Sequence, residues 1–560
     1  MKHSFSKIYV GAIALLIGAS SCSDQFLKDK KDYNNMTTVD VYSDPQQATA
    51  VFATIYKQII SRYNSPLCGA DPLMRQDQAT GGKQYIFSEE MTGWKSGNYT
   101  GQITKQVKAG NHISNPPYWN DPRNNVKNYN NFSRFTLFPT VYVINNYIIE
   151  IDRSRSLINN EEFWNHLKGQ AIFARAWLYF DAAREWGGFP YYFTETDMPE
   201  NGDRSPRLPM QTCIDRICAD FEAAAKLLPE RWDNENYGRF TSVAALAMAA
   251  RARLFMASPI FNADWDNPGG ERWKQATEAC LAALQAADKA GYGTSVKDIE
   301  SWDRAFYGFN GVFNPESIIT ILMNDDPLVK GSFNKWEEMI RPSSIANNDG
   351  AGIPAPDEIL MAFPMKDGRA ATVENGYDDE KFYRNRDPRF YRTFAFSGCE
   401  WIKQPQKQLW LFTYKYSDNE NNMYRYTDGR KGDGGAQGKS RALVWKMSDP
   451  NIAIGSESIS GTDVMEYRYG ELLLNLAECY AAQGNAGECL KYLGMIRARV
   501  GILSANNYGL GSISDRYQLL KAVLNERQIE LAYEGKRVWD LKRWLLYEGG
   551  AGFDPNIGGG

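Results

Sequence analysis

Residues 466–544 carry the sequence pattern that most constrains the fold of this chain. In their first part, large apolar side chains recur at Leu473, Leu476 and Tyr480, with the small side chain of Ala477 between them. These positions are three or four residues apart and therefore predict one face of an α-helix. A small residue among large ones lets a second helix pack closely against that face.

A second helix is predicted after a break at residues 483–485, whose sequence is Gln-Gly-Asn. It would place Cys489, Leu493 and Ile496 on its inner face. A small residue in each helix, aromatic partners and an intervening turn are typical of the tetratricopeptide repeat. One such hairpin cannot bury its own apolar face, so we expect others in the chain to stack on it.

Further helical patterns are imperfect copies of this hairpin, and most are rich in alanine and aromatic residues. The predicted helices are residues 45–63, 135–151, 169–186, 214–228, 242–257 and 273–290. Ordinary amphipathic helices without repeat ancestry remain an alternative, because alanine-rich faces are common. Turn residues dominate residues 64–134 and 291–465, where residues 317–323 are typical of a strand. The sequence therefore predicts a mainly α fold, with about four hairpins as a scaffold and a loop-rich, mostly irregular second half packed on it.

The N-terminus is typical of an exported lipoprotein. Basic residues precede an apolar run at residues 8–18, which is too short to span a bilayer and suits a signal peptide. Small residues lead directly into Cys22, as in the lipobox of a bacterial lipoprotein; an ordinary secretory signal is the alternative. Acylation of Cys22 would hold the chain on a membrane without a transmembrane helix.

This reading gives the following domain organisation. We expect a signal peptide at residues 1–21, a tether at 22–44 and a single body at 45–560, with the helical scaffold at about 45–63, 135–290 and 466–544 and the loop-rich part at about 64–134 and 291–465.

Several classes of chemistry lack the residues that they need. Outside the predicted signal peptide the only histidines are His112 and His166, which share no metal-ligand spacing, so a zinc site or a Ser-His-Asp triad is not expected. The cysteines contain no CxxC pair and are typical of small core residues. The net charge is −4 with dispersed basic residues, which argues against nucleic-acid binding. We expect no catalytic residue, metal or cofactor.

Several stretches, in chain order, resemble one protein family. They are the small residues before Cys22 and residues 169–192, 238–262, 385–394 (NRDPRFYRTF), 467–485 and 525–544 (NERQIELAYEGKRVWDLKRW). Together they resemble the SusD/RagB family of outer-membrane nutrient-binding lipoproteins and extend over nearly the whole chain.

The resemblance implies a cell-surface lipoprotein of the outer membrane that caps a SusC-like TonB-dependent transporter. Such a protein would capture oligosaccharides or polysaccharides and pass them to the transporter without catalysis. Members of the RagB branch are associated with peptides instead, so a peptide-capturing receptor is an alternative. A surface glycosidase, and a scaffold that binds only proteins, are further alternatives.

The resemblance also indicates two regions for the ligand site, near residues 94–119 and 302–336. An aromatic ring stacks on the C–H face of a sugar, while planar polar groups bind its hydroxyls. The candidate ligand-binding residues are Trp94, Asn98, Tyr118, Trp119, Trp302, Tyr307 and Trp336. The alternative for each is an aromatic side chain packed against the helical body.

The carboxylates of Glu526, Glu530 and Glu534 are four residues apart and are predicted to share one helix face. Interleaved arginine and lysine residues favour structural salt bridges with them over acid–base chemistry. Residues 386–389 (Arg-Asp-Pro-Arg) similarly predict a turn held by an Arg–Asp pair.

Overall fold

The structure is a computed structural model of the chain. It describes residues 38–60, 63, 65–67, 88, 90, 137–193, 206–326, 328, 333–342, 345–346, 352–396, 399–404, 407–411 and 442–546.

The described residues form a mainly helical structure, as predicted. The helices are α1 (Thr38–Tyr42), α2 (Pro45–Ile60), α3 (Leu137–Ser154), α4 (Glu161–Trp186), α5 (Met210–Leu227), α6 (Ser242–Ala257), α7 (Glu271–Lys289), α8 (Ile299–Arg304), α9 (Trp336–Ile340), α10 (Asp357–Ala362), α11 (Phe390–Thr393), α12 (Tyr469–Ala482), α13 (Ala486–Ala498), α14 (Arg516–Glu530) and α15 (Arg537–Arg543). The strands are β1 (Ser317–Ile321), β2 (Phe394–Phe396), β3 (Cys399–Gln404), β4 (Lys407–Leu411), β5 (Ala442–Val444) and β6 (Val464–Arg468).

The long helices pack one after another into an extended layer. Helices α4 and α5 form one hairpin, α6 and α7 form the next, and α7 packs on α12 of the C-terminal hairpin. Helices α2 and α3 cover α4 at one end of the layer, and α14 covers α12 at the other. Helix α6 lies in the middle, and its alanines are almost entirely inaccessible to solvent. Small side chains there allow close approach on both sides, which is how stacked hairpins bury a continuous core.

The C-terminal hairpin confirms the pattern that opened the sequence analysis. Helices α12 and α13 are joined by a turn in which Gly484 adopts a φ of +71°, a conformation that suits glycine. The side chain of Asn485 caps α13 by accepting a hydrogen bond from the amide of Glu488. The rings of Tyr480 and Tyr492 stack across the hairpin with centroids 5.9 Å apart.

Within its described residues, the loop-rich half contains three two-stranded antiparallel sheets. Strand β1 pairs with β6, β2 pairs with β5, and β3 pairs with β4. The predicted strand at residues 317–323 is thus confirmed as β1, and its partner leads directly into α12. This pairing connects the loop-rich half to the scaffold.

One predicted helix boundary is wrong. Residues 526–534 do not form one continuous helix face, because α14 ends at Glu530 and a turn precedes α15. Tyr533 and Gly535 in this turn have φ values of +62° and +70°. Glu534 therefore lies in the turn, although its side chain still points to the same interior site as that of Glu530, because both pair with Arg468.

A buried charge network joins the two halves, and we call it the Glu530 network. The Glu530 carboxylate accepts hydrogen bonds from Arg389 at 2.7 Å, Arg468 at 2.8 Å and Arg499 at 2.6 Å. Burial by itself would raise the pKa of the Glu530 carboxyl, but four cations hold that pKa well below its usual range. They are Arg499, Arg468, Arg389 and Lys446. The Glu530 carboxyl is therefore ionised at neutral pH.

The structural role predicted for the three glutamates is confirmed, but the predicted partners are wrong. Glu526 pairs with Arg389 and Arg497, and Glu534 pairs with Lys446, all from outside residues 526–543. Three of the interleaved cations lie on a different side of the structure and therefore form ion pairs with other acidic residues. Arg527 pairs with Asp540, Lys536 with Glu466, and Arg543 with Glu478.

The turn at residues 386–389 is held as predicted by an Arg–Asp pair. Arg389 binds Asp387 through two hydrogen bonds, of 3.1 and 2.8 Å, and then extends into the Glu530 network. Arg386 instead donates to the carbonyl oxygens of Phe382, Leu360 and Phe363. Both guanidinium groups are buried, so this turn is fixed from two sides.

Across the described residues, the helices all fall short of the length and apolarity that a membrane span requires.

Replacing Glu530 by Gln should lower the free energy of unfolding by about 3–5 kcal/mol, because buried cations lose their counter-charge. The control is Lys491→Ala, which removes a solvent-exposed pair with Glu488 and should cost less than about 1 kcal/mol. Urea unfolding followed by circular dichroism measures both. Equal midpoints for Glu530→Gln and Lys491→Ala would contradict the role given to the network.

Candidate functional site

Two of the predicted ligand-binding residues are core residues, and the prediction for them is wrong. Trp302 and Trp336 are each only 1% exposed. The indole N–H of Trp302 donates to Glu530 at 2.9 Å, and that of Trp336 donates to the carbonyl of Lys446 at 2.7 Å. Both ring faces are covered by protein, so neither ring offers a stacking surface. For both residues the alternative given in the sequence analysis is correct: each is an aromatic side chain packed against the helical body.

Tyr307 lies at the surface beside a charged cluster. Its ring is half-buried, and its hydroxyl donates to Asp303 at 3.2 Å. Arg392 lies 3.9 Å from the same carboxylate and 3.4 Å from that of Glu300. Burial raises the pKa of Asp303 to about 6, although the Arg392 cation and the Tyr307 hydroxyl act in the opposite direction. Asp303 thus changes charge close to physiological pH.

The other predicted ligand-binding residues lie outside the described residues. They are Trp94, Asn98, Tyr118 and Trp119, and the predicted lipidation site Cys22 is also outside.

An aromatic platform that the sequence analysis did not predict lies next to Arg392. Tyr383 and Tyr391 are each 36% exposed. The ring of Tyr383 stacks on that of Phe396 at a centroid distance of 4.9 Å and an interplanar angle of 14°. The Tyr391 hydroxyl donates to the carbonyl of Tyr383 at 2.7 Å and accepts from the amide of Arg386 at 3.1 Å. The buried Phe396 ring and these two hydrogen bonds therefore hold the two rings in place.

A tryptophan pair lies at the C-terminal end of α11. Trp445 is half-buried, and its amide donates to the carbonyl of Thr393 at 2.7 Å. Its ring packs against Trp401 with centroids 5.8 Å apart. Trp401 is buried and donates to the hydroxyl of Ser448 at 3.1 Å. The inner tryptophan thus supports the outer one.

These groups lie on or around α11 and are candidate ligand-binding residues, and we call them together the aromatic surface. It consists of Asp303, Tyr307, Tyr383, Tyr391, Arg392 and Trp445. Partly exposed rings offer flat apolar faces, and the carboxylate and guanidinium offer an acceptor and several donors. Such a combination suits a ligand with apolar faces and polar edges. Of these residues the sequence analysis identified only Tyr307. Tyr391 stands in the recognised NRDPRFYRTF stretch and Tyr383 on its flank, where only residues 386–389 were interpreted, as a structural turn.

Two internal cavities are too small to be the ligand site. One lies between α6 and β1 beside Tyr237, and has a volume of about 20 Å³. The other lies among α4, α6, α12 and α15, and has a volume of about 30 Å³. Each has room for about one water molecule. Neither cavity has room for a larger ligand.

In the described part of the chain, histidine, cysteine and acidic side chains do not form any cluster of three or more that would hold a metal ion.

Comparison with known families gives two matches that follow one another along the chain. The sequence model of the SusD family matches residues 315–557. A second model, described as starch-binding and associating with the outer membrane, matches residues 83–254. Together they include most of the scaffold and of the loop-rich half.

The chain belongs to the SusD/RagB family. It is 26% identical over 389 residues to SusD-like protein P38 of Formosa agariphila. That match includes 67% of this chain and 65% of the relative, slightly less than two thirds of the relative's length.

Solved structures share the SusD-like fold. A SusD-like protein from Bacteroides fragilis is 22% identical and has a TM-score of 0.65, over 90% of this chain and 87% of that one. Surface glycan-binding protein A from Bacteroides thetaiotaomicron is 17% identical and has a TM-score of 0.55, over 90% of each chain. At these identities the likeness concerns the fold alone.

Proposed function

We propose that this SusD/RagB-family chain is a non-catalytic receptor that captures oligosaccharides or polysaccharides at the cell surface. The observation that supports this most directly is the aromatic surface, where partly exposed rings are held rigidly beside a carboxylate and a guanidinium. A sugar ring has an apolar C–H face and a hydroxyl edge, so it requires both kinds of group. The family description as starch-binding and the name of the glycan-binding structural relative agree with this ligand class.

The remaining parts of the proposal follow from the family and the N-terminal sequence. After removal of residues 1–21, acylated Cys22 would anchor the chain to the outer membrane. The predicted tether at residues 22–44 would end before α1, because Tyr42 of α1 is buried in the body. A SusC-like TonB-dependent transporter would receive the glycan. Trp94, Asn98, Tyr118 and Trp119 remain proposed ligand contacts, together with Tyr307.

Replacing Tyr383 by Ala should weaken glycan binding on the order of tenfold, because one stacking face is lost. Tyr383→Phe keeps the ring and should bind like the wild type. Tyr142→Ala is the matched control, since Tyr142 is 43% exposed on α3 of the scaffold. Affinity electrophoresis against a panel that includes starch and laminarin first identifies a retained glycan and then compares the variants.

The same gels distinguish the other sites and functions. Undiminished retention by Tyr383→Ala, together with loss in the double variant Trp94→Ala and Trp119→Ala, would place the site in residues 94–119 instead. Binding of peptides but of no glycan in the panel would favour the peptide-capturing alternative. A shortened polysaccharide after incubation would contradict a non-catalytic role.

Glycan binding should weaken as the pH falls through about 6, because Asp303 then becomes protonated. Ionised Asp303 accepts a hydrogen bond from Tyr307 and attracts Arg392, and so holds both groups in place for the ligand. Protonation of Asp303 removes the attraction, and the two groups are no longer held in place. The Asp303→Asn variant should bind more weakly than the wild type at neutral pH, and its affinity should not change near pH 6. Titration calorimetry between pH 5 and 7.5 tests this, and an equal pH dependence in both proteins would rule out Asp303.

A further inference from the structure

Helices α7 and α12 pack antiparallel, and two hydrogen bonds define their register. Near one end, the side-chain amide of Gln483 donates to the hydroxyl of Thr277 at 2.6 Å. Near the other end, the hydroxyl of Tyr469 donates to Asp288 at 2.7 Å. In an antiparallel pair, moving forward along one helix corresponds to moving backward along the other. One helical turn from the Thr277–Gln483 contact, this register places one cysteine from each helix face to face.

These residues are Cys280 of α7 and Cys479 of α12. Both are completely buried with free thiols, and the Cys479 thiol is the first cause of the raised pKa of the Cys280 thiol, so the two groups are close neighbours. Ala276 and Ala283 lie on the same face of α7 and are also fully buried, so small side chains line the approach of the two helices. Close helix packing and facing side chains are the geometry that a disulfide requires.

The other buried cysteines of the described residues have different surroundings. The thiol of Cys213 donates to the carbonyl of Phe189 at 3.4 Å, and that of Cys218 to the carbonyl of Ala249 at 3.8 Å. Burial raises the pKa of Cys489 to about 12, with no thiol among the causes. These cysteines behave as small core residues and serve as internal controls.

We infer that Cys280 and Cys479 form a disulfide bond in the exported protein. The inference rests on the proposed function, because disulfides persist in oxidising compartments outside the cytosol. The two thiols together lose two protons and two electrons as one S–S bond forms. The oxidant is a disulfide, either a small molecule or a disulfide-carrying oxidoreductase, whose S–S bond is reduced to two thiols.

The bond forms during folding, before the helices close. In the folded, reduced chain the hydrogen bond with Cys479, together with burial, holds the pKa of the Cys280 thiol well above its usual value. Thiolates are the reactive species, so a pair buried as thiols reacts slowly. Once formed in the open chain, the bond is enclosed by the two helices and protected from reductants.

The position of the bond gives it a structural role. Residues 290–468, which separate α7 from α12, contain the whole aromatic surface. A disulfide at Cys280 and Cys479 would close this long segment into a loop and restrict the unfolded chain. It would also hold together the two scaffold helices between which the segment leaves and re-enters.

The first test is peptide mapping of the mature chain isolated from outer membranes. The protein is alkylated in denaturant without reductant and then digested. We expect a linked peptide that contains Cys280 and Cys479, lighter than the two free peptides by two hydrogen atoms, while Cys218 and Cys489 are alkylated. Full alkylation of Cys280 and Cys479 under these conditions overturns the inference.

The second test compares thermal unfolding of Cys280→Ala, Cys479→Ala and the double variant. Each single variant should lower the Tm by several degrees, and the double variant should lower it no further, because all three lack the same bond. Decreases that add would show two independent packing effects and overturn the inference. Reductant during unfolding should lower the Tm of the wild type alone, a readout that does not depend on the variants folding.

Glycan retention by the same preparation separates this inference from the proposed function. A linked peptide in a chain that retains no glycan refutes the receptor role but not the disulfide. Free thiols in a chain that retains glycan refute the disulfide but not the receptor role.

Discussion

The carboxylate of Glu530 is the single group on which the rest of the structure depends. It accepts hydrogen bonds from the guanidinium groups of Arg389, Arg468 and Arg499 and from the indole N–H of Trp302, and all of these groups lie in the interior. Moving two opposite charges from water into the protein interior costs several kcal/mol per ion. Only good geometry with full hydrogen bonding offsets that cost. Any arrangement of the chain that separated these groups would leave buried charges unpaired. The network therefore selects one way of packing the loop-rich half on the scaffold.

The candidate site is a direct extension of this network. Arg389 is buried in it, Phe390 fills the adjacent core, and Tyr391 and Arg392 reach the surface on the next residues. Lys446 enters the network from the turn after β5, and its neighbour Trp445 is half-buried at the surface. Inner residues held by ion pairs thus position outer residues that are free to meet a ligand, which is the support that a recognition site needs.

Local sequence predicted the scaffold well because its helices are locally consistent. Helix α6 has its predicted bounds, since an uninterrupted alanine-rich pattern follows the Thr241 cap, whose hydroxyl accepts from the amide of Ala244. The end of α14 was not predictable in this way. The residues after Glu530 suit a helix, but contacts of Lys446 with the carbonyls of Glu530 and Ala532 belong to the turn found there.

The site residues were harder to predict because burial of a loop aromatic is decided by distant partners. The sequence neighbours of Trp302 are polar, as they would be around an exposed residue. Its hydrogen-bond partner Glu530, however, is 228 positions away along the chain. Tyr383 stands just before the NRDPRFYRTF stretch, and its exposure depends on how Phe396 packs beneath it. The sequence pattern indicates that the loops are rich in aromatic residues. Which of these rings face outward depends on the ion pairs of the tertiary structure.

Hydrogen–deuterium exchange of the intact chain tests most directly whether the Glu530 network joins the two halves into one unit. Residues 389–396 and 442–448, which carry the inner part of the candidate site, should be as strongly protected as α12 and α14, and all four should lose protection together as denaturant is added. Rapid exchange of the two loop segments while α12 and α14 stay protected would contradict the account.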